Sequence, residues 1–324
     1  MFPCRAGTTR RRMSAEYGIH TIDTGFHRPR FDAAYLMVEA GRAAFIDCGT
    51  NHSVPRMLAA LSAQGLAADD VDWLVLTHVH LDHAGGAGAL MRELPRAKLL
   101  VHPRGAPHMI DPSRLIAGAT AVYGEAEMAR SYGTILPIAV ERVVEAPDGH
   151  EFALAGRPLR CIDTPGHARH HLCLWDARSR SWFTGDTFGL SYREFDTERG
   201  AIAIPTSSPV QFEPEPLKAS IRRLLDTSPQ AMYPTHYGRV EGVERLAAGL
   251  FGLVDEMVDA VRVAAGEGGD VHARLVEALR ALYLRHLRAH GVVLPTEDIL
   301  EVLGVDIELN AQGLLVWWAR TAPA

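Results

Sequence analysis

The segment Thr77-His78-Val79-His80-Leu81-Asp82-His83-Ala84-Gly85-Gly86 follows the apolar run Val71-Asp72-Trp73-Leu74-Val75-Leu76 and precedes a Gly/Ala/Leu-rich stretch. The run reads as a buried strand and the stretch as the start of a helix. Three imidazoles and one carboxylate therefore fall within six positions of a strand-to-helix loop. Imidazole suits zinc and related transition metals, and a carboxylate takes a second metal or orients a bound water. A lone H-x-H is most often a solvated loop, but H-x-H-x-D-H between a strand and a helix points to a metal site.

Three further segments carry ligand-type side chains: Asp163-Thr164-Pro165-Gly166-His167, Thr184-Gly185-Asp186-Thr187 and Tyr233-Pro234-Thr235-His236-Tyr237. Each follows a short apolar run that reads as a strand, at 159–162, 182–183 and 231–232. Strand ends on one sheet edge are where side chains distant in sequence converge on a rigid base. The remaining strands are expected at 17–22, 34–39, 43–47, 98–101, 142–145, 151–154, 171–175 and 181–184. Gly41 makes the first hairpin turn. Helices are expected from a Ser53 cap to about 64, at 87–94, through an apolar excursion at 112–132, and at 216–225. Apolar steps of three and four residues extend this to 240–261 and 271–287. Two shorter helices are expected at 298–303 and 310–320. The proline-dense 189–216 stretch reads as a functional loop.

The set His78, His80, Asp82, His83, His167, Asp186 and His236, in this order and these local contexts, resembles the metallo-β-lactamase superfamily. The forms T-H-x-H-x-D-H-A-G-G, T-P-G-H and F-T-G-D-T are similar to the branches holding glyoxalase II-type thioesterases and N-acyl homoserine lactonases. The resemblance implies an α/β fold, the four-layer αββα sandwich, with the C-terminal helices as an addition. On this reading 15–264 is the metallo-β-lactamase-like domain and 265–324 a helical extension packed on its core. His78, His80 and His167 would bind one metal ion, Asp82, His83 and His236 a second, and Asp186 would bridge them. Two divalent ions sharing a water lower its pKa toward neutrality, so hydroxide is available to attack a carbonyl or phosphorus. Zinc is the expected metal, with iron or manganese as alternatives. The expected enzyme is a hydrolase of ester, thioester or lactone bonds, with Asp82, Asp186 and Tyr192 as catalytic residues. Asp82 would orient the water, and the Tyr192 phenol would donate to a substrate oxyanion. Alternatives are a phosphodiesterase using the same two-metal site, or a metal-binding regulator with little turnover.

Other polar residues have weaker signals. His171 reads as a support of the metal ligands or a core residue, and His170 as surface or pocket rim. Asp47 is expected either to brace the metal loops or to cap a turn, and Thr77 and Thr164 to cap loops. Trp317 and Trp318 read as core or interface anchors. The substrate pocket is expected from Phe31-Asp32, Asn51-His52, 102–132, the 189–216 loop and the C-terminal helices, with no substrate signature in any of them.

The 324 residues include 47% hydrophobic side chains, enough for a large core, and carry a net charge of −6. That balance disfavours nucleic acid and anionic membrane as partners, since both select a basic face. A small-molecule substrate is expected, and a homodimer is left open. No run reaches the ~18 apolar residues of a membrane helix. Cys4, Cys48, Cys161 and Cys173 lack C-x-x-C spacing and read as reduced residues of a cytoplasmic protein. Residues 1–14 are basic without a following apolar segment and are expected to be a disordered tail, with Met13 as an alternative start. The missing leader disfavours a secreted penicillin-hydrolysing enzyme. Flavin-dependent diiron relatives place a carboxylate where His80 stands, and persulfide dioxygenases use only part of the ligand set. Both redox classes are therefore disfavoured.

Overall fold

The structure is a computed structural model and describes residues 17–322. The basic tail, Met13 and Cys4 lie outside the described residues. The chain divides into two compact units, one running to Asp163 and including Leu172–Phe183, the other made of Thr164–His171 and the chain from Thr184 onward.

In chain order the first unit contains β1 (Ile19–Asp23), β2 (Ala33–Glu39), β3 (Arg42–Ile46), α1 (Val54–Ala63) and β4 (Val71–Val75). Next come α2 (Leu81–Ala84), α3 (Ala87–Glu93), β5 (Lys98–Val101), α4 (Ala106–Ile110), α5 (Ser113–Tyr123), the short α6 (Glu125–Glu127) and β6 (Val143–Glu145). β1 to β6 form a six-stranded sheet in sequence order. β2 and β3 pair antiparallel with Glu39 opposite Arg42, across a two-residue turn whose Ala40 and Gly41 both have positive φ. Such primed turns match the strand twist. β3, β4, β5 and β6 pair parallel, and parallel neighbours require crossovers, here supplied by α1, by α2 with α3, and by α4 with α5.

Side chains alternate along these strands. Leu36, Phe45, Leu74 and Leu99 pack with Met57 and Leu61 of α1, Leu90 and Met91 of α3 and Met109 of α4 in one buried core. The other face meets a second sheet. β7 (Glu151–Leu154), β8 (Arg157–Asp163), β9 (Leu172–Asp176) and β10 (Ser181–Gly185) form an antiparallel meander. Tyr35 stacks edge-on against Phe183 with ring centroids 5.3 Å apart, and Trp73 does the same against Phe152 at 5.1 Å. The Trp73 indole also donates to the Ala153 carbonyl at 3.1 Å.

A buried ion pair ties this second sheet together. Arg157 donates to both carboxylate oxygens of Asp176, at 3.0 and 2.5 Å, and Ser179 adds its amide and hydroxyl. Burial alone would raise the Asp176 carboxyl, but the hydrogen bonds from Arg157 and Ser179 outweigh it and hold it below the usual carboxylate range. A carboxyl depressed on folding contributes stability that is complete above its unfolded pKa of about 3.9 and is lost as pH falls through the lower folded value. Ser179→Ala is therefore expected to cost about 1.5 kcal/mol at pH 7, the size of a hydrogen bond to a charged group. The difference from wild type should shrink below about pH 4, as Asp176 takes up a proton. Urea melts of both proteins at pH 7 and pH 3 check this, and a gap that widens in acid would contradict it.

The second unit holds α7 (Pro214–Leu225), β11 (Ala231–Pro234), α8 (Val243–Gly266), α9 (Val271–His290) and α10 (Thr296–Thr321). Thr235 donates its amide to Gly185 at 3.3 Å, so β11 lies beside the end of β10. Leu246, Leu250, Leu253, Val254 and Met257 form the buried face of α8, and Leu275, Leu279, Leu282 and Leu287 that of α9. The Tyr283 hydroxyl of α9 reaches Met257 Sδ at 3.4 Å.

Ser53 is the N-cap residue of α1 with Pro55 in its first turn, as expected, but its side chain makes no cap hydrogen bond to the helix. Its hydroxyl accepts the Thr50 amide instead, and the Thr50 side chain accepts the His52 amide in the short turn before the helix. The Ala106–Ile110 helix adds to the expected elements. The two short C-terminal helices are one 26-residue helix, because Asp306 and Asn310, which resemble breaks in sequence, are buried inside it with polar partners. Among the described residues no helix is long and apolar enough to cross a membrane. Cys48, Cys161 and Cys173 are buried and unbridged.

Candidate metal centre

Each unit carries its own cluster of metal-ligand side chains. In the first, β4 ends at Val75 and a short irregular segment, bent at Thr77 and extended at His80, leads into α2. His78 Nε2 and His80 Nδ1 are 2.9 Å apart. Asp82 and His83 sit in α2, where His83 Nε2 is 3.5 Å from Asp82 Oδ2. His78 and His83 are buried, while His80 and Asp82 are partly open.

Asp47 braces this loop. It closes β3 with a left-handed φ of 55°. Its Oδ1 accepts the Thr77 amide at 2.8 Å, and its Oδ2 accepts the Thr77 hydroxyl at 2.8 Å and His83 Nδ1 at 3.3 Å. The bracing alternative for Asp47 is the one the structure shows. Having donated to Asp47, the Thr77 oxygen accepts from His78 Nδ1 at 3.2 Å. Both buried rings thus present Nε2 inward with its lone pair. Asn51 clamps the loop edge by donating to the carbonyls of Gly85, Tyr132 and Thr134. His52 Nε2 contacts the Arg130 carbonyl at 3.1 Å.

In the second unit Gly166 makes the T-P-G-H turn possible. Its φ of 130° excludes most side chains, and a Cβ there would lie 2.2 Å from the Leu217 amide nitrogen of α7. His167 Nδ1 donates to the Thr206 carbonyl at 3.1 Å, and Ser208 Oγ donates to the His167 carbonyl at 2.7 Å. That leaves His167 Nε2 facing Asp186 Oδ2 at 3.4 Å, while His236 Nε2 faces Asp186 Oδ1 at 3.7 Å. His171 Nε2 accepts the Asp186 amide at 3.2 Å, and its Nδ1 reaches the hydroxyls of Thr164 and Thr187 at 2.9 and 3.2 Å. His171 therefore supports a ligand-type residue, as expected. His170 is 7% exposed, buried rather than at the surface.

Tyr192 is 1% exposed, its hydroxyl donates to Asp306 Oδ2 at 3.0 Å, and its ring lies edge-on to His236 at 6.4 Å. Trp317 and Trp318 are partly buried with ring centroids 6.2 Å apart. Trp317 lines a shallow cavity of about 290 Å³ with Pro214, Pro216, Arg169 and Arg320.

The donor chemistry fits a divalent metal in both clusters. His83 and His167 each give Nδ1–H to an oxygen acceptor and turn a lone-pair nitrogen toward a carboxylate. Two acceptors facing each other in a buried site repel unless a cation lies between them. Imidazole and carboxylate together suit zinc, iron or manganese. The residues sequence reasoning missed are the supports Thr206, Ser208, Asp306 and Asn310. None stands in a motif, and each meets the cluster only through the fold.

The family model described as the metallo-beta-lactamase superfamily matches residues 27–236. The chain belongs to that superfamily and has its fold, with two sheets, flanking helices and a C-terminal helical segment of α8, α9 and α10. A relative from Sulfurisphaera tokodaii, the metallo-beta-lactamase fold-containing protein ST1585, is 28% identical over 228 residues, 69% of this chain and 79% of its own. Its crystal structure aligns with a TM-score of 0.60 at 26% identity, over 89% of this chain and 100% of that one. The metallo-beta-lactamase family protein TTHA1429 from Thermus thermophilus shares the fold at 20% identity, with a TM-score of 0.66 over 94% of this chain and 93% of that one. The atrochrysone carboxyl ACP thioesterase of Aspergillus fumigatus is 26% identical over 154 residues, 47% of this chain and 38% of its own.

Proposed function

We propose that the two clusters work as one dinuclear centre of a metal-dependent hydrolase acting on an ester, thioester or lactone carbonyl. His78, His80 and His167 would hold one ion and Asp82, His83 and His236 the other, with Asp186 shared between the two sets. The observation that carries the reading is Asp186 itself, which turns one oxygen to His167 and the other to His236. A carboxylate shared in this way serves two ligand sets at once.

When bound, two such ions lower the pKa of a shared water and polarise the electrophile's oxygen. The protein's own groups position everything around them. Asp82, partly open beside His83, accepts a hydrogen bond from the attacking water and aims its lone pair. Asp47 and the Thr206 carbonyl keep the histidine protons on the outer nitrogens, so that the inner ones stay available as ligands.

The thioesterase name of one relative supports an acyl substrate, and the motif forms favour the glyoxalase II and lactonase branches. This chain spans only 38% of that thioesterase. The substrate class is therefore part of the proposal, as are zinc as the metal, a small-molecule substrate and a cytoplasmic setting. The test is a panel of lactone, thioester and phosphodiester substrates offered to the full chain after reconstitution with zinc, iron or manganese. Turnover of a carbonyl substrate that disappears with chelator is expected. Turnover confined to the phosphodiester, or none on any substrate, would overturn the reading.

A further inference from the structure

The long helix α10 lies outside the residues matched by the family, 27–236, yet one of its faces is polar and buried. Asp306, Asn310 and Gly313 stand at i, i+4 and i+7, which places them in one row along a helix. Asp306 is 6% exposed and Asn310 0%. Such groups are costly in a helix interior unless they are matched. Their partners are Tyr192 and the 205–207 segment, which in turn touch His236 and His167.

Asn310 grips the 205–207 segment from both sides. Its Oδ1 accepts the Ser207 amide at 2.7 Å, and its Nδ2 donates to the Pro205 carbonyl at 3.0 Å and to the Tyr283 hydroxyl at 2.8 Å. Between Pro205 and Ser207 lies Thr206, whose carbonyl takes the Nδ1 proton of His167. Ser208, the next residue, donates to the His167 carbonyl. Gly313 lets the helix come this close: a Cβ there would lie 2.3 Å from Ser207 Oγ and 2.5 Å from the Ser208 carbonyl oxygen. Gly304, on the same helix, has open space around its own Cβ position.

Asp306 reaches the His236 side through Tyr192. It takes the Tyr192 hydroxyl, and Tyr192 packs edge-on against the His236 ring. Ser191, beside Tyr192, donates its amide to the His236 carbonyl and accepts the Tyr237 amide at 3.3 Å. One helix face therefore supports the backbone or ring contacts of both histidines.

We infer that Asp306, Asn310 and Gly313 of α10 are positioning residues for the metal ligands His167 and His236, so that the C-terminal helix is part of the metal centre rather than an appendage. The inference rests on the proposed reading of those histidines as ligands. Asn310 sets the Thr206 carbonyl, the carbonyl sets the His167 tautomer and ring, and Asp306 sets His236 through Tyr192.

The test uses the full chain and four proteins: wild type, Asn310→Asp, Gly313→Ala and Gly304→Ala. Zinc affinity is measured by competition with a chromophoric chelator, and the ligand field by the visible spectrum of the cobalt(II)-loaded proteins. Asn310→Asp keeps the acceptor for Ser207 but removes the donor to Pro205 and Tyr283. Both Asn310→Asp and Gly313→Ala are expected to lose about 10-fold or more in zinc affinity, the usual effect of disturbing a ligand's hydrogen-bond partner. Both should also alter the cobalt spectrum, while Gly304→Ala matches wild type in both measurements. If Gly313→Ala does not fold, Asn310→Asp decides the matter. Folded variants with wild-type affinity and spectrum would overturn the inference and leave the metal reading standing. A lower melting temperature with an unchanged spectrum would also overturn it, since that is a purely structural role. A wild-type chain that binds neither ion would overturn both.

Discussion

Asp186→Ala is expected to retain about one of two metal ions per chain and to lose ~10³-fold in turnover, equivalent to about 4 kcal/mol of transition-state stabilisation. The physical reason is the position of its carboxylate, with Oδ2 at His167 and Oδ1 at His236. The backbone at 186 does not depend on the carboxylate, because its amide donates to His171 Nε2. Folding should therefore survive the substitution. In the metal-free state alanine also removes a carboxylate oxygen that faces the lone pair of His167 Nε2, so the apo-protein should melt no lower than wild type. What shrinks is the rise in melting temperature on adding metal, which scales with binding to the folded state. Elemental analysis and paired melts with and without zinc measure both effects. A variant that keeps its full metal content and its full metal-dependent stabilisation would show that Asp186 does not bridge.

Asp47→Ala is the second large effect, and it acts without touching the ligand-facing nitrogens. Asp47 is 1% exposed and accepts from the Thr77 amide, the Thr77 hydroxyl and His83 Nδ1. Alanine leaves those buried donors unmatched, at a cost of about 2–4 kcal/mol. The left-handed φ of 55° at this position adds to the penalty, since aspartate tolerates that region better than alanine. His83 then loses the partner that holds its proton on Nδ1, and metal affinity should fall by about 10- to 100-fold. Asp47→Asn separates the two consequences. It keeps an oxygen for Thr77 but turns an amide toward the His83 N–H. Stability should stay nearer wild type while metal affinity still drops. Affinity within about twofold of wild type in both variants would remove Asp47 from the account.

What was legible in the sequence follows from how local each feature is. The candidate metal-ligand residues stand in four short motifs directly after apolar runs, so period and spacing were enough to single them out as candidates. Lys98–Val101 and Glu151–Leu154 were readable to the residue because turn-forming or polar segments bound both. The supports were not legible. Thr206 reaches His167 across 39 positions and Asn310 reaches Ser207 across 103, and nothing in either neighbourhood marks the pairing. Asp306 and Asn310 looked like helix ends because such residues compete for backbone hydrogen bonds when exposed. Buried and matched, they let α10 run through unbroken. Nothing around Tyr192 in the sequence marks Asp306, 114 positions on, as the acceptor of its hydroxyl.

The central claim is that the seven histidine and aspartate side chains form one two-metal centre. It is tested most directly by counting metal ions per chain in the purified wild-type protein, after expression with zinc, iron and manganese each supplied. The account predicts about two ions per chain with at least one of these metals. Fewer than about one ion per chain under all three conditions would contradict it.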